Sequence, residues 1–440
     1  MESVGTIEFL KSNQPCFYAT LSSLAQKKGK CFQIRVPGQR LVVVSDGAMI
    51  RDLLLKNHSR LGKGKTLSEL TYMTRGLKTI TENDGDEWSK QRQAFQPWFQ
   101  KESANVFFKT SPSIMEEVSA LLQAQSGPVD VRDLMSRVAF RCVTEALTGF
   151  RTGCLKDLSQ PYSYLVNQAY LVDQLGIRMK RGPLWKYLPI PSNFRVKKAV
   201  EANGRYLLEI VRERIAGTTK GPDFLDVLMS SGASLEQLTV HLYGFFGAAF
   251  ESTGSILSWA LIQLAHDRNM QEKARESQDY ARWVLSEVMR LYPPFPMLIR
   301  ECTEAITEPI PVAKGDVLFS LIGLPQKDPA IWGENAAIFH PERFANLTPE
   351  QKSNFLPFGL GKRICIGEPL AKVELPAILT HVLTHFQMRL EGEIPAPHLR
   401  FSLEASGHPK IRFQSLESAK IGAAHGAKLG SRTASPGQIL

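Results

Sequence analysis

Apolar and polar positions along this chain follow two different periods. Over most of its length apolar residues return every three or four positions, the spacing of one helix face. "GAMIRDLLLKN" from Gly47, "PSIMEEVSALLQAQ" from Pro112 and "KAVEANGRYLLEIVRERI" from Lys198 each predict an amphipathic helix. Strand signals are fewer. "CFQIRV" from Cys31 and "RLVVVS" from Arg40 surround the turn dipeptide Pro37-Gly38 and predict a hairpin, and "DVLFSLIGL" from Asp316 predicts a further strand far along the chain. The sum is a mainly α fold with small β-sheets, an α+β arrangement.

The longest apolar stretch, "LTVHLYGFFGAAFESTGSILSWALIQLAHD", runs from Leu238 to Asp267. Its length suits a membrane span, but Glu251, Ser252 and Thr253 interrupt it near the centre, where a carboxylate in lipid is costly. A buried helix crossing the protein fits better. Two reasons could put hydroxyls there: a bond back to the i−4 carbonyl, which bends a helix, or chemistry.

At 440 residues with 43% hydrophobic content, the chain can bury a large core. No linker or repeat divides it, so residues 1–417 read as one large domain. Residues 418–440 are small, polar and basic, and read as a disordered tail. The N-terminus lacks the basic-then-apolar order of a signal peptide, and six cysteines without a disulfide framework suit a reducing compartment. A cytoplasmic protein with no membrane span is expected. The net charge of +10 would suit nucleic acid, yet the cations look scattered and no basic stripe with interleaved aromatics stands out. Nucleic acid is therefore not an expected partner.

"LPFGLGKRICIG", Leu356 to Gly367, sets Cys365 among Gly359, Gly361 and Gly367, beside Lys362 and Arg363. The cations, and the N-terminus of the helix predicted from "EPLAKVELPAILTHVLTHF", would stabilise a thiolate. The glycines allow positive φ and close approach of another body. Such a cysteine is a nucleophile or a metal ligand. A nucleophile needs a base that the sequence does not name. Zinc needs three or four N/S ligands, and the cysteine spacing offers no such cluster. A single thiolate holds iron when a macrocycle supplies the other ligands, as in haem. Downstream, Pro369 fits the first turn of the helix, and Pro376 predicts a kink or break.

Phe358, Gly361, Arg363, Cys365 and Gly367 fall in the order F-x-x-G-x-R-x-C-x-G, which resembles the haem-binding loop of the cytochrome P-450 family. "WSKQR" (Trp88, Arg92), "EVMR" (Glu287, Arg290) and "PERF" (Arg343) occur in that family's order, and the resemblance covers about residues 15 to 415. It implies the P-450 fold in a single domain, haem b as cofactor and Cys365 as axial thiolate. Trp88, Arg92, Arg300 and Arg363 would bond the propionates. Glu287, Arg290 and Arg343 would form a structural network bracing the loop. Ala248 and Ala249, then Glu251, Ser252 and Thr253, resemble the oxygen-activation segment A-G-x-D/E-T-T/S. Alanine replaces the usual glycine and serine the usual threonine. Serine keeps the hydroxyl but lacks the methyl that restricts its rotation, which bears on how electrons couple to product. Ala248, Phe250, Phe295, Leu298 and Ile299 are the expected pocket walls, with residues 61–80 as a variable lid.

The resemblance, closest in type to soluble bacterial members, implies a monomeric monooxygenase. It would insert one oxygen atom of O2 into a C–H bond of a lipophilic small molecule. Family habit favours a terpenoid-like metabolite, with fatty-acyl and polyketide skeletons also suiting an apolar pocket. No flavin or nicotinamide domain fits in the chain, so a ferredoxin or flavodoxin with its NAD(P)H-dependent reductase would deliver electrons. Lys90, Lys101, Lys352, Lys362 and Lys372 would steer an acidic donor. Two alternatives stay open: a haem-thiolate enzyme of rearrangement, dehydration or oxidative coupling, and a haem-containing binding or sensor protein.

Overall fold

The apolar stretch forms one helix, Leu235–His266, and the rest of the chain is arranged around it. The computed structural model describes residues 1–11, 16–64, 71, 73–181, 185 and 187–416. The division at residue 417 and the tail beyond it lie outside the described residues, as do positions 65–70 and 72 of the expected lid. Ser234 caps the long helix: its Oγ accepts from Gln237 N at 3.3 Å, while Gln237 Oε1 accepts from Ser234 N at 2.9 Å. A reciprocal cap of this kind stabilises a helix start by about 1 kcal/mol. From Thr253 to Ala265 every side chain is buried, Trp259 and Leu257 completely. Each large apolar group among them contributes about 1.5–3 kcal/mol. The helix Val131–Thr148 lies alongside, and Gly254 permits the approach: a Cβ there would stand 3.2 Å from the Ser136 Cα. Among the described residues this is the one helix long and apolar enough to cross a membrane, and 78% of its apolar window is buried inside the protein.

The predicted hairpin is present as β2 (Cys31–Val36) and β3 (Gln39–Val44), turning at Gly38 with φ 74°. Around it forms a six-stranded sheet in the order β1-β2-β3-β7-β6-β4, with β1 Glu2–Val4, β4 Leu61–Gly62, β6 Leu298–Cys302 and β7 Val317–Ser320. The strand read from Asp316 pairs in parallel with β3, Leu41 opposite Val317. A three-stranded sheet joins β5 (Val129–Asp130), β11 (Lys410–Ser415) and β8 (Phe386–Glu391); β9 (Pro397–Leu399) and β10 (Leu403–Ala405) form a hairpin. The expected helices are Gly47–Lys56, Ser103–Gln123 and Pro191–Ile215.

The helix after Cys365 corrects the expected break. It runs unbroken through Pro376, from Glu368 to His385. Leu375, Ile378, Leu379 and Val382 are buried around the proline, so tertiary packing outweighs its cost of about 3 kcal/mol.

Candidate functional site

Cys365 is anchored at its own peptide, its N–H donating to the Phe358 carbonyl at 2.9 Å. Between these two residues the loop reverses through Gly359 (φ 77°) and Gly361 (φ 74°). A Cβ on Gly361 would stand 2.9 Å from the Leu54 carbonyl oxygen, so that position is closed to other residues. Gly367 departs from the sequence reading: its φ is −82°, and a Cβ there would meet only Cys365 Sγ, at 3.8 Å. Gly367 therefore leaves room beside the sulfur and does not serve as a left-handed turn.

Among the described residues all six cysteines are free, and Cys365 is the exposed one. The residue is accessible, yet its thiol is surrounded by protein. Burial pushes the thiol up, while the N–H groups of Gly367 and Glu368 and the Arg92 guanidinium pull it down. The helix N-terminus thus acts on the thiolate as expected. The neighbouring cation does not: Lys362 is exposed and Arg363 is turned away, so the charge comes from Arg92.

The other expected cofactor residues gather round this loop, and two of them hold the loop itself. Arg92 Nη1 donates to the Ile364 carbonyl at 2.9 Å, and its Nε to Gln96 Oε1 at 2.7 Å. Arg363 donates to Asn83 O at 2.7 Å and Asp84 Oδ1 at 2.5 Å, with its guanidinium 4.5 Å above the Trp88 ring. Arg300 is buried and donates to the Ile299 carbonyl. Burial, then the nearby Arg363, lowers it to about 10. Lys63 joins this group and was not legible in the sequence. Burial and then Arg300 and Arg363 push its ammonium down to about 7. Neither Arg300 nor Lys63 forms an ion pair among the described residues. Asp84 acts against the shift of both and Glu82 against that of Lys63, but burial outweighs them, and buried cations held this way are unfavourable unless a further anion completes them. Beside a thiolate ligand, they fit the propionates of a haem.

Behind the loop, Glu287 and Arg290 form a buried bidentate pair, both contacts 2.7 Å, and Arg343 Nε reaches Glu287 Oε1 at 3.0 Å. Arg290 then donates to Gln326 O and Ala336 O, and Gln326 Oε1 accepts from Leu356 N at 3.0 Å. That chain of bonds leads from the network to the first residue of the loop.

On the central helix, Ala248 and Ser252 are one turn apart on an accessible face. Ser252 Oγ donates to Ala248 O at 2.8 Å, while Thr253 is buried. Glu251 is half-buried, with Oε2 3.5 Å from Ser402 Oγ; burial and then Glu404 raise it to about 8, against Arg400 and Arg132. The pocket expectation needs two corrections. Phe250 stands about 200° round the helix from Ala248 and packs in the core, edge to face with Phe140 at 5.7 Å. Leu298 and Ile299 alternate along β6. Leu298 lies near the Cys365 loop, 3.9 Å from a Cβ built on Gly359, whereas Ile299 packs towards Leu21, Phe32 and Phe319. Phe295 is half-buried, edge to face with Phe401 at 5.4 Å.

The outer face of the loop forms a separate groove of about 570 Å³, between Phe358, Ile364 and Leu375. Arg51, Arg282, Lys352 and Lys372 are among its walls, with Glu368 as a carboxylate.

A cysteine presented by a glycine-shaped loop, with Arg300 and Lys63 short of partners in the same group of cations and a polar interruption of the apolar central helix, suits a haem-thiolate site. The sequence model of the family "Cytochrome P450" matches residues 3–412, so the chain belongs to the cytochrome P450 family. It is 28% identical to Cytochrome P450 72A15 of Arabidopsis thaliana, over 85% of this chain and 78% of that protein. It is 27% identical to Echinocystic acid 23-monooxygenase of Saponaria officinalis, covering 79% and 74% of the two chains. Identity to Cytokinin hydroxylase of Arabidopsis thaliana is 24%, covering 84% and 77%. The protein is accordingly a haem b monooxygenase that uses O2, a redox partner and a lipophilic substrate.

Proposed function

We propose that this enzyme hydroxylates a C–H bond of a lipophilic, terpenoid-like small molecule, with electrons from a separate ferredoxin or flavodoxin and its reductase. The reading is carried by two chemistries in one chain: Cys365 on its glycine-shaped loop with Arg300 and Lys63 from other segments, and the accessible Ala248–Ser252 face with Glu251 on the central helix. Haem, when bound, supplies the iron that activates O2. Cys365 would hold its iron through sulfur, and Arg300 and Lys63 would neutralise its propionates, with Arg92, Arg363 and Trp88 fixing the loop. Glu251 holds a proton at its carboxyl, and Ser252 Oγ passes it on after releasing the Ala248 carbonyl. Thr253, buried, is the weaker candidate. Ala248, Phe295 and Leu298 supply apolar contact to the substrate. Relatives named for oxidation of echinocystic acid and of a cytokinin favour hydroxylation over rearrangement.

The cationic groove behind Cys365 suits an acidic electron donor, as does exposed Lys362. A cytoplasmic, monomeric enzyme completes the proposal. The test is turnover of the holoenzyme with a donor system under labelled O2, after a screen of haem absorption for ligands that bind. One labelled oxygen atom per product is expected. Product without label would favour rearrangement, dehydration or coupling, and ligand binding without turnover would favour a sensor.

A further inference from the structure

The β9–β10 hairpin is riveted to the middle of the central helix at one residue. Leu403 N donates to Pro294 O at 2.8 Å, and the Leu403 carbonyl accepts from Ser255 Oγ at 2.7 Å and Trp259 Nε1 at 3.3 Å. Fixing that residue fixes its neighbours, Ser402 and Glu404, both buried. Ser402 meets Glu251. Glu404 pairs with Arg132 of the Val131–Thr148 helix, and Arg400 Nη1 lies 3.6 Å from its carboxylate. Arg400 also reaches the helix Ser163–Arg181, donating to Asp173 Oδ1 at 2.7 Å and Ala169 O at 3.0 Å.

Two carboxyl groups therefore share one corner, and both guanidiniums there are committed elsewhere. Glu404 takes Arg132, and Arg400 is divided between Glu404 and Asp173. What faces Glu251 is Glu404, Arg400 and Ser402 from the hairpin, Arg132 from the neighbouring helix, and Tyr243 two turns earlier on its own helix. Like charges sharing a site cannot both ionise easily, so the better-paired one stays ionised and the other stays neutral.

We propose that Glu404 is a positioning residue for proton delivery: as a fixed anion it holds Glu251 in its protonated form, while Arg400 opposes that effect and links the pair to the Ser163–Arg181 helix. This rests on the reading of Glu251 and Ser252 as the relay. The proton leaves the Glu251 carboxyl towards Ser252, and a carboxylate is left beside ionised Glu404. Repulsion between the two anions favours reloading of Glu251 with a proton from water.

The test uses the holoenzyme and Glu404→Gln, which removes the charge and keeps the shape. The infrared band of a protonated carboxyl, assigned to Glu251 by its loss in Glu251→Gln, is titrated without substrate or electron donor. Its midpoint, expected near pH 8 in the parent, should fall by about one unit in Glu404→Gln. Arg400→Gln should move it upward. An unchanged midpoint in Glu404→Gln overturns the proposal, and so do shifts in the same direction in both variants, which would indicate general disturbance. Product formed per O2 consumed is then followed against pH. Its alkaline limb should move with the infrared midpoint in each variant. A moving midpoint with a stationary limb overturns the relay role while leaving the Glu404–Glu251 interaction measured, so the two failures are distinguishable.

Discussion

The Cys365 loop and the middle of the central helix hold their polar groups in opposite ways. In the loop, distant segments are tied in through main-chain atoms: Arg92 bonds Ile364 O, Gln326 accepts from Leu356 N, and the loop's own Arg363 reaches out to Asn83 O. Irregular backbone has no ladder of its own, so these bonds replace one. On the central helix, Ser252 bonds back to its own preceding turn, and Glu251 reaches Ser402 by one long contact. The regular helix is already satisfied, so its polar residues remain free to act. The difference teaches that the loop is fixed by many converging parts, whereas the acid and alcohol are held by few bonds, as the proposed proton relay requires. Substitutions in the two regions should therefore fail differently.

The largest effect is expected at Cys365 itself. Cys365→Ser should abolish the red-shifted absorption band of the ferrous carbon monoxide complex, and survival of that band would remove Cys365 as ligand. Next come Glu287→Ala and Arg290→Ala. Removing one partner of a buried pair costs about 3–5 kcal/mol, so both variants should lose haem retention and unfold at lower denaturant. Full haem content with turnover alone lost would make the network catalytic and erase the contrast between the regions.

Ser252→Ala should leave haem content and ligand binding largely intact while the peroxide-to-product ratio rises several-fold. Ser252→Thr keeps the hydroxyl and restricts its rotamers, so coupling should equal or exceed the parent's unless the methyl meets substrate. Uncoupling confined to Thr253→Ala would move the relay to the buried hydroxyl.

The smallest effect concerns Lys63. Its folded pKa, about 7, lies below the unfolded value of 10.5, so the unfolded chain binds more protons between those limits. Stability of the haem-free protein should thus rise as pH increases from about 7 to 10.5, and stay level below about 7, where both states hold the proton. Lys63→Met should flatten that dependence in thermal unfolding and speed haem release a few-fold. An unaltered pH dependence would take Lys63 out of the cation group.

Much of this site was legible because its motifs are local. Glu287 and Arg290 are three apart on a helix and had to share a face, and the glycine spacing around Cys365 announced a shaped loop. Other readings failed on phase or distance. Phe250 is two residues from Ala248, but helix rotation turns it into the core against Phe140. Ile299 is adjacent to Leu298, but strand alternation sends it to the opposite face. Lys362 and Arg363 are the cations nearest to Cys365 in sequence, yet one is exposed and the other is bonded to Asp84, while Arg92, 272 residues from the Ile364 carbonyl it bonds, supplies the charge.

The sequence by itself determined what short-range periodicity encodes: the helices, the hairpin at Gly38, the buried central helix, and the loop that presents one thiolate. Tertiary structure alone decided which cations gather near that cysteine, that Pro376 is carried inside an unbroken helix, and that Glu404, Arg400 and Arg132 act on Glu251. The physical reason is range. Local patterns set φ, ψ and the facing of side chains within a few residues, whereas a pKa or an ion pair depends on whichever segments packing brings within a few ångströms, and spacing along the chain does not record that.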